Sequence, residues 1–300
     1  MDQQIRLVNK KIMKIDKKTL ERFKQIRKNT IEQVKKFNNK KGKIKVIGIS
    51  GSARSKFDMA SEDSNSEFLL NECLKELKKL GASTELIPLR DYDIKHCKAC
   101  YSTTNTQCHF YCSCYPKGSP LEDDMTKILY DKVLDADIII FATPVNLFKI
   151  SSLMALFLDR CISLDGSLEP ADPKAAKNRE LNIEHTKFVE THVDQKIEGS
   201  GFFKRFRGKV AGVIVTGHEE GASMVISQLF MTLNNFGMIF CPWSNMYAMS
   251  SILNPTFKDK KIVNSEIYIK EAKQLAYNTF ETAELLEKNK INWQYDYTSN

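Results

Sequence analysis

Four short runs of continuous apolar, largely β-branched residues recur along this chain, each followed by a helix-forming or loop segment. They are residues 44–50 (IKVIGIS), 84–88 (TELIP), 137–143 (DIIIFAT) and 209–216 (KVAGVIVT). A strand with one wet face alternates polar and apolar residues. A run that is apolar throughout is buried on both faces, the signature of a parallel sheet covered by helices on each side. A fifth, shorter strand is expected at 237–242. Helical spacing is read over 68–80, ended by Gly81, then over 150–161, 222–235 and 265–288. A further helix is expected to start at Ser119-Pro120-Leu121-Glu122, which offers an N-cap, a proline at the first helical position and a capping-box glutamate, and to run to residue 134. These elements predict a doubly wound five-stranded parallel α/β sheet.

Residues 163–208 break the alternation. They are polar, carry Pro170 and Pro173, and read as an insertion before the fourth strand with a short helix near 181–193. We take the insertion as an elaboration of one domain spanning 44–300, which also contains a cysteine loop at 97–114 and the C-terminal helix at 265–288.

Charge is unevenly distributed. Residues 1–43 carry a net charge of +11 and the remaining 257 a net of −3, so the basic balance belongs to an N-terminal arm. In that arm Leu20, Phe23, Ile26, Ile31, Val34 and Phe37 fall on one side of a helix, with most lysines on the other. One reading is contact with nucleic acid or an acidic membrane; the other is a helix that docks on the body and solvates its lysines. The charge comes without an aromatic or arginine-rich readout pattern, so docking is preferred and nucleic acid is not expected as a partner. No basic segment followed by an apolar one opens the chain, and the longest strongly apolar run, residues 138–142, is far too short to span a membrane. Eight cysteines in 300 residues are few for a disulfide scaffold. A cytoplasmic protein is expected.

Ligands of an open doubly wound sheet bind beyond the carboxyl ends of the strands, where strand order reverses. Three loops leave those ends. The first, Gly51-Ser52-Ala53-Arg54, continues to Ser64-Asn65-Ser66 at a helix start. Hydroxyls, one arginine and a helix N-terminus together suit a phosphate. The loop is neither G-x-G-x-x-G nor a Walker loop, so dinucleotide and nucleoside triphosphate sites are poorly supported. The second loop, Thr143-Pro144-Val145-Asn146-Leu147-Phe148, leaves Leu147 and Phe148 without an obvious core duty, and an apolar wall for a flat ring is a natural use. The third, Thr216-Gly217-His218-Glu219-Glu220-Gly221, flanks polar residues with glycines that expose backbone N–H groups. No catalytic side chain is assigned.

At this point the ordered set of Gly-Ser-x-Arg after the first strand, Asp123-Asp124-Met125, Thr143-Pro144-Val145 and Leu156-Phe157-Leu158-Asp159-Arg160 resembles the NADPH-dependent FMN reductase and iron–sulfur flavoprotein branch of the flavodoxin-like superfamily. The match covers residues 44–161 well and 209–241 loosely. The resemblance implies strand order 2-1-3-4-5 and bound FMN. Ser52, Arg54, Asn65 and Ser66, with Ser64 as a further member, would hold the phosphate. Pro144, Val145, Asn146, Leu147 and Phe148 would border the isoalloxazine, and Gly217 with His218 would approach its other edge. Two departures stand out: Asn146 occupies a place that is often aromatic, with Phe148 as the substitute, and residues 55–63 lengthen the phosphate loop.

Cys97, Cys100, Cys108, Cys112 and Cys114 lie within 18 residues. Clustered thiolates in a cytoplasmic protein suggest soft-metal ligation before disulfides. Relatives place a compact C-x2-C-x2-C run plus one cysteine here; Thr103 stands at the third place of that run, so a 4Fe–4S ligand set would draw on Cys108, Cys112 and Cys114. Zinc is the alternative metal, and free or redox-active thiols remain a third reading. Cys73, Cys161 and Cys241 read as small buried hydrophobes.

The expected function is an FMN-dependent oxidoreductase that takes electrons from NAD(P)H and passes them to an iron–sulfur centre, a quinone or another small-molecule or protein acceptor, with a homo-oligomer as a further expectation. The alternatives are an FMN electron carrier without a nicotinamide site, and a non-enzymatic module whose basic arm binds nucleic acid.

Overall fold

The computed structural model describes residues 15–38, 42–59, 61–100, 108–194, 196–217, 221–249, 262–289 and 291. Five strands form one sheet: β1 (Lys45–Ser50), β2 (Ser83–Pro88), β3 (Ile138–Pro144), β4 (Val210–Gly217) and β5 (Ile239–Met249), in the order β2-β1-β3-β4-β5. Every neighbouring pair is parallel. The order reverses between β1 and β3, so the loops leaving those two strands open a crevice at their carboxyl ends, the flavodoxin-like arrangement.

Two apolar layers follow from the strand sequences, because successive side chains point to opposite faces. Ile47, Ile49, Ile139, Phe141, Val213 and Val215 share one layer with Met154, Phe157 and Leu158 of α4 (Ser152–Cys161) and with Val225, Leu229 and Leu233 of α6 (Ala222–Asn235). Leu129, Tyr130 and Val133 join this layer from a π-helical turn (Met125–Leu129) that runs into α3 (Tyr130–Asp135). Val46, Ile138, Ile140 and Ile214 share the other layer with α2 (Asn65–Lys79) and α7 (Glu266–Lys288).

A third, smaller cluster joins the basic N-terminal segment to the insertion. Helix α1 (Lys17–Asn38) buries Phe23, Ile26 and Val34. Phe23 packs with Leu168, Ala171, Phe188 and Val189, the last two from α5 (Arg179–His192). Its ring stacks on His185 with centroids 4.6 Å apart. Arg22 pairs with Glu169 at 2.8 Å. No helix among the described residues is long and apolar enough to cross a membrane.

The structure corrects the sequence expectation at two elements. Ser119-Pro120-Leu121-Glu122 does not open a helix. The Ser119 hydroxyl donates to the Pro116 carbonyl at 2.8 Å and accepts from the Leu121 N–H, closing a turn. The helical segment begins after Asp123, whose carboxylate accepts the Thr126 N–H at 3.1 Å. β5 is also the longest of the five strands, not the shortest. A register irregularity between Ala211 and Val213 lets it resume pairing from Asn245 to Met249.

Candidate functional site

The carboxyl ends of β1, β3 and β4 are tied together by hydrogen bonds that fix the loops to one another. Ser151, the N-cap of α4, donates from its hydroxyl to the Gly51 carbonyl at 2.6 Å, and its N–H reaches the Thr143 hydroxyl at 3.2 Å. A Cβ at Gly51 would lie 2.8 Å from the Ser151 hydroxyl, so only glycine lets the β1 loop sit this close to α4. The Val145 N–H donates to the Thr216 carbonyl at 2.8 Å, joining the second loop to the third.

In the first loop, Ser52, Ser64 and Ser66 are all buried. Ser64 caps α2 by accepting the Glu67 N–H at 3.3 Å, and its hydroxyl lies 3.0 Å from that of Ser66. The Ser52 hydroxyl accepts the Arg54 N–H at 3.2 Å. Asn65 opens α2, where the first N–H groups have no partner within the helix. Buried hydroxyls beside a positive helix terminus fit an anion chemically. The Arg54 guanidinium lies 3.5 Å from Glu62, which belongs to the lengthened part of the loop, so an anion would compete with that carboxylate for it.

The second loop is a two-residue hairpin. Asn146 and Lys149 exchange N–H···O bonds of 2.9 and 3.2 Å, leaving Leu147 and Phe148 at the turn with φ of 49° and 64°. Two positive φ values define a type I′ turn, which normally calls for Asn-Gly, and each bulky residue held there stores strain. Leu147 is 75% exposed and Phe148 52% exposed. Pro144 ends β3, and Val145 is buried beneath the hairpin. Gly221 follows the third loop; a Cβ there would come within 2.8 Å of the Phe148 backbone, so glycine is needed for the loops to meet. Gly217 ends β4 against Val145. His218 lies outside the described residues.

The cysteine loop forms a second centre. Cys100 hydrogen-bonds with the thiols of Cys108 and Cys114, and Cys114 with that of Cys112. Cys97 stands beside this chain and accepts the Ala99 N–H at 3.4 Å. Thiol contacts from Cys108 and Cys114, with the Lys177 ammonium at 2.7 Å, lower the Cys100 pKa well below that of an ordinary thiol. Cys112 is lowered to about 6, first by Cys114 and then by Arg160 and the N–H groups of Cys114 and Tyr115. Cys108 and Cys114, which share their protons with these neighbours, are raised. Next to them, burial and Lys177 push His109 down to about 4, so its ring is neutral.

Clustered thiols with cationic and N–H donors have the chemistry a soft metal selects. The five nevertheless make a chain of contacts: among the described residues no three His, Cys, Asp or Glu side chains form a group that could hold a metal ion. No disulfide links any of the eight cysteines, and Cys73, Cys161 and Cys241 are buried in helix or strand.

A fully buried ion pair holds both ends of the cysteine loop. Arg160, in the last turn of α4, pairs with both carboxylate oxygens of Asp123 and donates to the Lys95 carbonyl at 2.8 Å. Its guanidinium lies 4.4 Å from the centre of the Tyr115 ring, and the Tyr115 hydroxyl donates to the His96 carbonyl at 2.7 Å. The loop is therefore tied down just before Cys97 and just after Cys114. This clamp and Lys177 were missed as site features. Asp123 and Arg160 stood in the motifs quoted above, but their partnership needs the fold.

The sheet order, with a buried-hydroxyl cradle and an exposed apolar hairpin at the switch point, defines a flavodoxin-like α/β fold. Residues 44–179 match the model of the NADPH-dependent FMN reductase family. An iron–sulfur flavoprotein of Archaeoglobus fulgidus is 31% identical over 117 residues, 39% of this chain and 48% of the relative. One from Methanocaldococcus jannaschii is 32% identical over 118 residues, 39% of this chain and 51% of the relative. The chain thus spans about half the length of the curated relatives it matches. The crystal structure of RosB with bound 8-demethyl-8-formylriboflavin-5'-phosphate superposes with a TM-score of 0.58 at 18% identity, covering 83% of this chain and 82% of that one. At that identity the likeness concerns the fold.

Proposed function

We propose that this chain is an FMN-dependent oxidoreductase that draws electrons from NAD(P)H and delivers them to a quinone or another small-molecule or protein acceptor. The observation that carries the reading is the joining of three loops at one sheet edge. It puts the buried hydroxyls of the first loop and the exposed hairpin of the second on either side of the switch point. Ser52, Ser64, Asn65 and Ser66 would bind the phosphate of FMN, with Arg54 released from Glu62 to join them. Leu147 and Phe148 would cover the ring and exclude water, while Gly217 and Gly221 let backbone approach its edge. FMN, when bound, supplies the hydride and electron chemistry. The chain supplies binding, orientation and a polar N–H environment, so no acid or base triad is needed.

The reading is tested on anaerobically purified protein by a visible spectrum before and after NADPH or NADH, with iron and zinc measured on the same sample. Flavin absorbance that bleaches with nicotinamide is the expected result. Bound flavin that no nicotinamide reduces identifies an electron carrier instead. A colourless protein that takes up no added FMN overturns the proposal.

A further inference from the structure

The cysteine loop keeps its thiols in contact without arranging three ligands for a metal, so cluster chemistry does not fit the described residues. What it does arrange is a reactive pair. Cys100 touches the thiols of Cys108 and Cys114, and Cys114 touches that of Cys112. Cys108 and Cys112 are buried, whereas Cys100 and Cys114 are partly exposed, so a small solute reaches the latter two. These two differ in what stands beside them. The Lys177 ammonium donates to Cys100 Sγ at 2.7 Å and favours its thiolate, the form that attacks. Lys177 comes from the insertion, between a short 3-10 turn (Pro173–Ala175) and α5, where the Asn182 amide donates to the Ala176 carbonyl at 2.8 Å and holds the backbone. Cys114 precedes Tyr115, whose ring centre lies 4.4 Å from the Arg160 guanidinium and whose hydroxyl donates to the His96 carbonyl. The second sulfur is thus carried by the clamped end of the loop. Cys108, the other thiol against Cys100, is buried and donates to the His109 carbonyl at 3.9 Å.

We propose that Cys100 and Cys114 form a peroxide-oxidisable dithiol in which Cys100 attacks and Cys114 resolves. The Cys100 thiolate attacks one oxygen of hydrogen peroxide and the O–O bond breaks. A sulfenic acid forms, and the departing hydroxide takes a proton to leave as water. The Cys114 thiol then attacks the oxidised sulfur, the S–O bond breaks, an S–S bond forms and a second water leaves with the thiol proton. The two sulfurs together lose two electrons and peroxide gains them, so two thiols and one peroxide become one disulfide and two waters. A small-molecule dithiol reverses the change by exchange, ending as its own disulfide. Lys177 acts through Cys100 as a positioning residue. The inference is independent of FMN binding, and it gives the loop a chemistry distinct from the cluster that names its iron–sulfur flavoprotein relatives.

The test uses the full chain, purified anaerobically, reduced with dithiothreitol and then freed of it. Thiols titrated after denaturation should fall by two from eight on treatment with hydrogen peroxide, and dithiothreitol should restore them. Digestion of the oxidised, alkylated chain with trypsin and chymotrypsin separates residues 99–101, 102–110 and 112–117. A link between the first and the last of these, with the alkyl group on Cys112, is expected. Cys100→Ser should form no disulfide, and Cys114→Ser should stop at a sulfenic acid that dimedone traps on Cys100. Because Lys177 is exposed, screening limits its effect, and Lys177→Met should form the disulfide about five-fold more slowly at low salt, with the difference shrinking at 1 M salt. Lys177→Arg should restore the rate. Circular dichroism reports the folding of each variant. A link through Cys108, a disulfide that still forms in Cys100→Ser, or no disulfide in wild type overturns the proposal. So does stoichiometric iron or zinc on the purified chain that shields these thiols until it is chelated, because the thiols would then be ligands.

Discussion

Replacing Asp123 by alanine strikes the ion pair on which the cysteine loop is mounted. The side chains of Asp123 and Arg160 are 0% and 1% exposed. Asp123→Ala would leave the guanidinium buried with only the Lys95 carbonyl and the Thr126 hydroxyl as hydrogen-bond partners, and Arg160 Nε already has none. It would also strip the acceptor from the Lys95 and Thr126 N–H groups. Breaking one side of a buried pair costs about 3–5 kcal/mol, against a total stability of about 5–15 kcal/mol for typical proteins. With a urea slope of about 3 kcal/mol/M, the midpoint of unfolding should fall by about 1–1.5 M at an unchanged slope. The pH dependence has a definite sign. Burial alone would raise the Asp123 pKa, but the Arg160 guanidinium and the two N–H donors hold it below the ordinary carboxylate value. A depressed folded-state pKa contributes stability above the unfolded value, near 3.9, and that contribution disappears as pH falls through the folded pKa. The gap between wild type and Asp123→Ala should therefore be constant from about pH 5 to 8 and close below about pH 4. A loss under about 1 kcal/mol, or a gap that widens on acidification, would refute the reasoning.

Three further outcomes are expected. The double substitution Leu147→Asn, Phe148→Gly relieves two left-handed residues in the type I′ turn and should stabilise the chain by about 2 kcal/mol, while weakening FMN binding; unfolding curves and flavin titration read the two effects separately. Under the proposed phosphate role, Ser66→Ala should lower FMN affinity about ten-fold and leave riboflavin affinity unchanged; equal losses for both ligands would place Ser66 elsewhere. Phe23→Ala removes a fully buried ring from the α1–insertion cluster. The local cost of about 3–5 kcal/mol should appear as faster proteolysis and hydrogen exchange in α1 and α5, with the sheet protected as before.

What could be read from sequence divides along physical lines. Strands β1, β3 and β4 were legible because burial on both faces demands uninterrupted apolar runs, and such runs are conspicuous; the edge strand β2 buries only Ile87 fully. β5 was cut short because Pro242 and the polar Ser244 and Asn245 end its run. The rest of the strand lies at the sheet edge, where only one face needs covering. Met246 and Ala248 are buried there while Trp243, Asn245 and Tyr247 are exposed, an alternation that was present in the sequence. The misplaced helix start shows a different limit. Ser119 and Pro120 satisfy a local rule equally well as a turn, and Asp123 wins the cap because its carboxylate is already fixed by Arg160. Lys177 carries no local signal, since what gives it meaning is a thiol brought to it by the fold.

Helix α4 gives these observations a common frame. At its N-cap, Ser151 holds Gly51 and Thr143, fixing the loops that border the switch point. In its last turn, Arg160 holds Lys95, Asp123 and the face of Tyr115, fixing the cysteine loop. Nine residues of α-helix separate the two anchors, a rise of about 14 Å. Between them Met154, Phe157 and Leu158 lock the helix into the apolar layer against the sheet. A strut buried along one side and hydrogen-bonded at both ends cannot slide without breaking the core. The distance between the loops that would hold the flavin and the cysteine loop is therefore set by the fold itself. The resemblance motifs converge on the same element: Thr143-Pro144-Val145 lies at one end of it, and Asp123 and Arg160 lie at the other.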